Sequence, residues 1–347
     1  MARRRKKCGS IAAGYRTIVT ISELTPRTAF MPSITGRALN AALRFLVKRR
    51  LHNSLTVDAV RATSANLERW LARGDLTRPG DAMTASGVPC EWFGSPAIDE
   101  RRILLYLHGG GFIANLPSAY RLFARHLSDA LGARVLLPDY RLAPEHTFPA
   151  ATDDCIVAYR WLLAQGCKAD RIVIAGDSAG GNLALVTAIR IRDEGLAAPA
   201  CVVMLSPATD LTGGSASLKY NRDRDPMLVP EALQFVRTTY APATDARHPW
   251  ISPIHDSFER LPPLLFHAGS TEIIVDDSIR AAEKARCAGV CVELEVWPDM
   301  PHVFQMIDWL PESRAAIAAI ARFVRQHVPE QAADFGVQPQ DPPRLSS

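Results

Sequence analysis

The chain has 347 residues, 48% of them apolar and 22% charged, enough to bury one large core or two smaller ones and too hydrophobic for disorder throughout. Its formal net charge of +4 is carried by the run Arg3, Arg4, Arg5, Lys6 and Lys7. Without those five, 35 basic residues face 36 acidic ones, which excludes an overall nucleic-acid footprint.

The basic run reads as a solvated, disordered tail, with a contact to acidic lipid as the alternative. It precedes an apolar stretch, residues 11 to 19, in the manner of a signal peptide. Arg16 interrupts that stretch and no clean small-residue cleavage site follows, which argues against secretion. No segment approaches the ~20 uncharged apolar residues of a spanning helix, so stable membrane insertion is not expected. Seven cysteines are an odd number without zinc-ligand spacing. Cys287 and Cys291 are near enough in sequence for a disulfide, but nothing requires one, and a reducing cytoplasm is the simplest location.

Residues 1 to about 85 read as a basic tail and a helical segment. Leu39, Ala42, Leu43, Leu46 and Val47 recur at helical spacing, with Arg44, Lys48 and Arg49 on other faces. A second helix is expected from Val57 to Ala72. Both segments suit either packing on the main domain or a lid over an apolar site. From about Val88 strands and helices alternate. A strand at Ile103 to Leu107 leads into His108-Gly109-Gly110-Gly111-Phe112; a helix near Ala119 to Ala130, a strand at Arg134 to Leu137 and a helix from Thr152 to Ala164 follow. Next come a strand at Ile172 to Ile174 with its following helix, and a strand at Cys201 to Leu205. Between Asp210 and about Pro262 the rhythm fails, and the stretch reads as an insertion. The pattern resumes with a strand at Leu264 to Phe266, a helix from Asp277 to Ala288, a strand at Val292 to Val296 and a helix from Ser313 to Val328. Beyond Pro329 the polar, proline-rich chain is expected to be disordered. This order predicts an α/β fold with a mostly parallel central sheet flanked by helices.

The chain centres on Gly176-Asp177-Ser178-Ala179-Gly180, a G-x-S-x-G sequence between an apolar strand and a helix. Such a turn strains its apex residue and lifts the serine oxygen clear of the sheet, while glycines at the flanks avoid collision. It also puts the Ala179 amide at a helix N-terminus, where a developing oxyanion would be favoured. The three glycines at 109 to 111 let further backbone N–H groups converge on one point.

A serine hydroxyl needs a base, and the base a carboxylate. Of the histidines after Ser178, only His302 lies in a loop beyond the last predicted strand; His267 ends a strand and His327 lies on the final helix. Glu272, Asp276 and Asp277 all qualify chemically as the acid. Glu272 is nearest the strand end, whereas the two aspartates sit where a helix N-cap is wanted.

These motifs resemble the hormone-sensitive-lipase-like esterases, a branch of the α/β-hydrolases. The matching segments are His108 to Phe112, Asp139 to Ala150, Gly176 to Asn182 and Asp299 to Phe304, within roughly residues 88 to 328. The resemblance implies a carboxylester hydrolase with Ser178 as nucleophile, His302 as base, and Gly110, Gly111 and Ala179 as oxyanion donors. It also implies a helical cap built from the N-terminal segment and the 210 to 262 insertion on a hydrolase domain spanning 86 to 328. Many members carry aspartate as the acid in a D-x-L-x-D pattern. Here Glu272-Ile273-Ile274-Val275-Asp276 aligns Glu272 at that position, which leaves the choice between Glu272 and Asp276 open. The Asp139 to Glu145 charges are expected to brace the oxyanion loop.

The expected partner is a small-molecule ester of short or medium acyl chain, with no cofactor, metal or nucleic acid; a homodimer is left open. An amidase or lactone hydrolase uses the same machinery. A non-catalytic receptor on the same scaffold is disfavoured by the presence of His302, and Ser178 disfavours dehalogenase or epoxide-hydrolase chemistry, which wants aspartate at the elbow.

Overall fold

The structure, a computed structural model, describes residues 33–50, 54–71, 78–94 and 102–328. The basic run, the signal-like stretch, Ala72 and the polar C-terminal tail lie outside these residues. Eight strands form one sheet: β1 (Asp81–Ala85), β2 (Val88–Phe93), β3 (Ile103–Leu107), β4 (Arg134–Pro138), β5 (Ile172–Asp177), β6 (Cys201–Leu205), β7 (Leu264–Gly269) and β8 (Val292–Trp297). Their spatial order is β1-β2-β4-β3-β5-β6-β7-β8. From β4 to β8 every pairing is parallel, and β2 pairs antiparallel with both β1 and β4.

The central strands are largely apolar because each of their faces is covered. In β3, Ile103, Leu105 and Leu107 join one buried cluster, while Leu104 and Tyr106 join the other. The same alternation sends Ile172 and Ile174 of β5 to the first face and Val173 and Ala175 to the second. Helices α4 (Ala150–Ala164), α5 (Ala179–Asp193) and α8 (Val275–Cys287) cover the first face. Helices α3 (Pro117–Leu131) and α9 (Pro311–His327) cover the second.

Two further helices precede the sheet, α1 (Ile34–Leu43) and α2 (Val57–Leu71), and two lie in the 210 to 262 segment, α6 (Ser217–Tyr220) and α7 (Pro230–Tyr240). Leu39, Leu43 and Val47 bury against Met300, Phe304, Ile307 and Leu310. Leu46, expected on that same apolar face, is 39% exposed. The helix continues from Arg44 to Lys48 as a π turn, in which the Arg49 N–H reaches the Arg44 carbonyl. That wider turn keeps Val47 inward and rotates Leu46 away.

One expectation is corrected. Residues up to about 85 read as helical, yet Asp81–Ala85 is a strand that closes a hairpin on β2 through Ser86 and Gly87, both at positive φ. It is an outer, largely exposed strand, so its sequence lacks the apolar run that marks the inner ones.

The sheet order also places the site. The chain goes from β3 to β4 on one side, then crosses to β5 on the other, so the loops leaving β3 and β5 diverge and open a crevice at the C-terminal edge.

Candidate active site

Ser178 sits at the apex between β5 and α5 with φ 53° and ψ −118°, a conformation unusual for a side-chain-bearing residue. The turn is tight enough that a β-carbon at Gly176 would overlap the Gly180 carbonyl, and one at Gly180 would overlap the Leu107 carbonyl. The glycines are therefore dictated by close approach of backbone.

His302, nearly buried in the loop after β8, lies with Nε2 2.9 Å from Ser178 Oγ. Its Nδ1 is 2.8 Å from Glu272 Oε2. An ionised carboxylate only accepts, so Nδ1–H donates to Glu272 and Nε2 is left to accept the serine proton. Burial lowers the His302 pKa, but the hydrogen bond and charge of Glu272, with the charges of Asp225 and Asp177, outweigh it and hold the imidazole above its ordinary value.

Glu272 is fully buried, and its carboxylate also accepts from the Ser206 hydroxyl and the Gly269 N–H. Ser206 is a residue that sequence reasoning missed. It follows β6, donates at 2.8 Å to Glu272 and accepts from the Val303 N–H at 3.1 Å, so one hydroxyl ties Glu272 to the loop bearing His302.

The alternative acids face elsewhere. Asp276 accepts from the Ser217 N–H and the Tyr220 hydroxyl. Asp277, wholly buried, accepts from the Ser215 hydroxyl and the Asp210 N–H, and its pKa is pushed up to about 7, chiefly by burial. The expected capping role is thus replaced: both lie in the first turn of α8 and fasten the 210 to 220 segment instead. His267 is buried in β7, 3.3 Å from Glu295, and His327 packs against Phe323; neither is among the groups around Ser178.

The glycine loop after β3 is held from beneath by Asp177, the residue before the serine. Its buried carboxylate accepts from Tyr106 at 2.7 Å, Tyr120 at 2.9 Å and the Gly109 N–H at 3.1 Å. Burial raises the Asp177 pKa, and those donors counter it. Gly110 has φ +106°, and a β-carbon there would overlap the Ala114 carbonyl. The Asp139 to Glu145 segment supports this loop from the side. Tyr140 donates to the His108 carbonyl at 2.6 Å and stacks on the His108 ring, and the Ala143 N–H reaches the Phe112 carbonyl. Arg141 pairs with Asp154, and Glu145 pairs with Arg61 of α2.

Ser178, His302, Gly110, Gly111 and Ala179 open into one cavity of about 200 Å³. Its other walls are mainly apolar: Val60, Leu67 and Leu71 from α2, Met227 to Val229, and Leu233 and Val236 from α7. Asp225 orders the middle wall, accepting from the N–H groups of Met227, Leu228 and Ile273. Among the described residues no cluster of His, Cys, Asp and Glu is arranged to hold a metal ion.

A family model described as alpha/beta hydrolase fold matches residues 104–306. Together with the sheet and the elbow, this makes the protein an α/β-hydrolase. An acetyl-hydrolase of Streptomyces hygroscopicus is 41% identical over 251 residues, 71% of this chain and 83% of that protein. The carboxylesterase/phospholipase LipF of Mycobacterium tuberculosis is 38% identical over 233 residues, 65% of this chain and 62% of that protein. Among solved structures, an esterase from the bacterial hormone-sensitive lipase family superimposes with a TM-score of 0.79 at 35% identity, covering 86% of this chain and all of that one. The chain belongs to the hormone-sensitive-lipase-like carboxylesterases, and it is an ester hydrolase.

Proposed function

We propose that the protein is a serine hydrolase that cleaves short- to medium-chain acyl esters through a Ser178–His302–Glu272 triad and an acyl-enzyme. The observation that carries this reading is the line of hydrogen bonds from Ser178 Oγ through His302 to the buried Glu272, ending in an apolar cavity. Ser178 Oγ attacks the ester carbonyl as His302 Nε2 takes its proton. The carbonyl oxygen becomes an oxyanion at the amides of Gly110, Gly111 and Ala179, each such donor being worth about 3 kcal/mol of barrier. His302 then returns the proton to the departing alkoxide as the C–O bond breaks, leaving an ester on Ser178. Water attacks that ester with His302 again as base, releasing the carboxylic acid and restoring the serine. Glu272 accepts from His302 Nδ1–H throughout and stabilises the transient imidazolium.

In this reading α1, α2 and the 210 to 262 segment form the cap, and residues 86 to 328 otherwise form the hydrolase domain.

A fluorophosphonate probe should label the folded protein one to one, at Ser178, and the protein should turn over p-nitrophenyl butyrate. Ser178→Ala should abolish labelling and lower turnover on the order of 10⁶-fold. Substantial turnover by folded Ser178→Ala would sink the proposal.

A further inference from the structure

Charge is distributed very unevenly along this chain. The first fifty residues hold twelve basic residues and one acidic residue, leaving 28 basic against 35 acidic in the remainder. The described part of that basic region, residues 33–50, has five cations and no acid. It forms α1 and its continuation, whose inner side buries Leu39, Leu43 and Val47. The outer side carries Ile34, 87% exposed, Phe45, 66% exposed, and the outward-rotated Leu46, with Arg37, Arg49 and Arg50 exposed among them. Arg44 and Lys48 are committed to carbonyls of Arg224, Arg222 and Asp225. Arg37, Arg49 and Arg50 form no ion pair among the described residues, and Arg49 lies over the Phe45 ring. Trp309, another exposed aromatic, packs edge-on against Trp70, whose neighbours are the residues beneath α1.

We propose that this face docks the enzyme on an anionic lipid surface. Large apolar side chains interleaved with arginines that form no ion pair among the described residues match an acyl-headgroup boundary, where the former enter the boundary and the latter meet phosphate. Nucleic acid would use the arginines but has no place for Ile34, Phe45 and Leu46. A second copy joined by a two-fold axis would set the same positive face against itself. The contact is peripheral, since no described helix is long and apolar enough to cross a membrane. Val47, on the inner side of the same helix, lines the cavity. Docking therefore sets the wall of the active-site cavity against the lipid, where apolar esters concentrate.

The test is sedimentation of the full chain with vesicles of phosphatidylcholine alone and with about a quarter phosphatidylglycerol. The protein should partition onto the anionic vesicles only, and less as salt is raised. Arg37→Gln/Arg49→Gln/Arg50→Gln should weaken partition on the order of 100-fold, and Phe45→Ser/Leu46→Ser about tenfold. Both variants should keep turnover of soluble p-nitrophenyl acetate, which separates lost docking from lost folding. Failure to bind anionic vesicles, or equal binding to phosphatidylcholine alone, overturns the proposal. So does parent-like partition by both variants, because the contact then rests on the preceding chain. Duplex DNA binding that is weakened by the arginine changes and indifferent to the Phe45 and Leu46 changes would reassign the face to nucleic acid. The vesicle result does not depend on Ser178 chemistry, so either conclusion can fail alone.

Discussion

Glu272 is the residue on which the proposed chemistry can be tested most sharply, because its carboxylate has one partner in the reaction path and two in the frame. Toward the reaction it holds His302 Nδ1; toward the frame it accepts from Ser206 and Gly269. The sign of its effect on pH dependence follows. His302 works as a base only when neutral, and Glu272 raises its pKa against the opposing effect of burial. Activity of the parent should therefore climb with pH through a value above the ordinary imidazole range. Glu272→Gln removes the charge that favours the imidazolium, so the inflection should move to lower pH while kcat falls on the order of 10⁴-fold. A pH profile of kcat/KM on p-nitrophenyl butyrate reads both; an unmoved inflection with near-parental kcat would move the acid elsewhere. The site was unevenly legible in the sequence. Ser178 and His302 stand out because motif and loop position single them out, and Glu272 was narrowed to a short acidic stretch. Ser206, Asp177 and Asp225 gave no such signal. Ser206 acts on groups 66 and 97 residues away, Asp225 reaches Ile273 48 residues away, and Asp177 holds Gly109 68 residues away, and a lone serine or aspartate in a loop has many bland explanations.

At the scale of elements, the inner strands were readable because a strand covered on both faces is apolar along most of its length, as β3 is and as β5 is from Ile172 to Ala175. The outer hairpin was not. β1 reads Asp-Ala-Met-Thr-Ala, a sequence that makes its ladder with β2 through backbone groups and so leaves little trace in side-chain pattern. The π turn after α1 escaped for a related reason: helical spacing assigns Leu46 inward, and only the local widening turns it out. The element with most bearing on function is α2, which supplies cavity wall and meets the hydrolase frame through Glu68, which accepts from the Ser118 N–H, and through Arg61. Arg61 reaches the Ile113 carbonyl at 3.1 Å, the Ala143 carbonyl at 3.2 Å and both oxygens of Glu145. The ion pair is half-exposed and by itself worth little; the two carbonyl contacts add the geometry. Arg61→Ala should loosen α2 over the oxyanion loop, raising KM about fivefold with a smaller effect on kcat. Hydrogen exchange should quicken within Val57–Leu71, and unchanged exchange together with unchanged KM would show that Arg61 does not seat this helix.

For the molecule as a whole, the decisive quantity is how the space above Ser178 is bounded. Pockets that enclose drug-sized ligands run from about 300 to 1,000 Å³, and this cavity of about 200 Å³ lies below that range. The sheet fixes the floor through Ser178 and the glycine loop, whereas the roof comes from α2, α7 and the Met227 to Val229 stretch. Substrate size is thus set by elements outside the sheet. On the proposed reading a short acyl chain would lie beneath this roof, and a long one would displace α2 or α7, losing the apolar contacts that seat them, at about 0.8 kcal/mol for each methylene-sized contact forfeited. Across p-nitrophenyl esters from acetate to palmitate, kcat/KM should peak at short to medium chains and fall steeply beyond them. Leu233→Ala, which removes roof volume from α7 without touching the triad, should shift that peak toward longer chains. Its position on a partly buried helix face keeps the expected loss of stability within a few kcal/mol. A peak already at palmitate, or one that Leu233→Ala leaves in place, would mean that the roof opens freely and that chain length is selected elsewhere, at the mouth of the cavity.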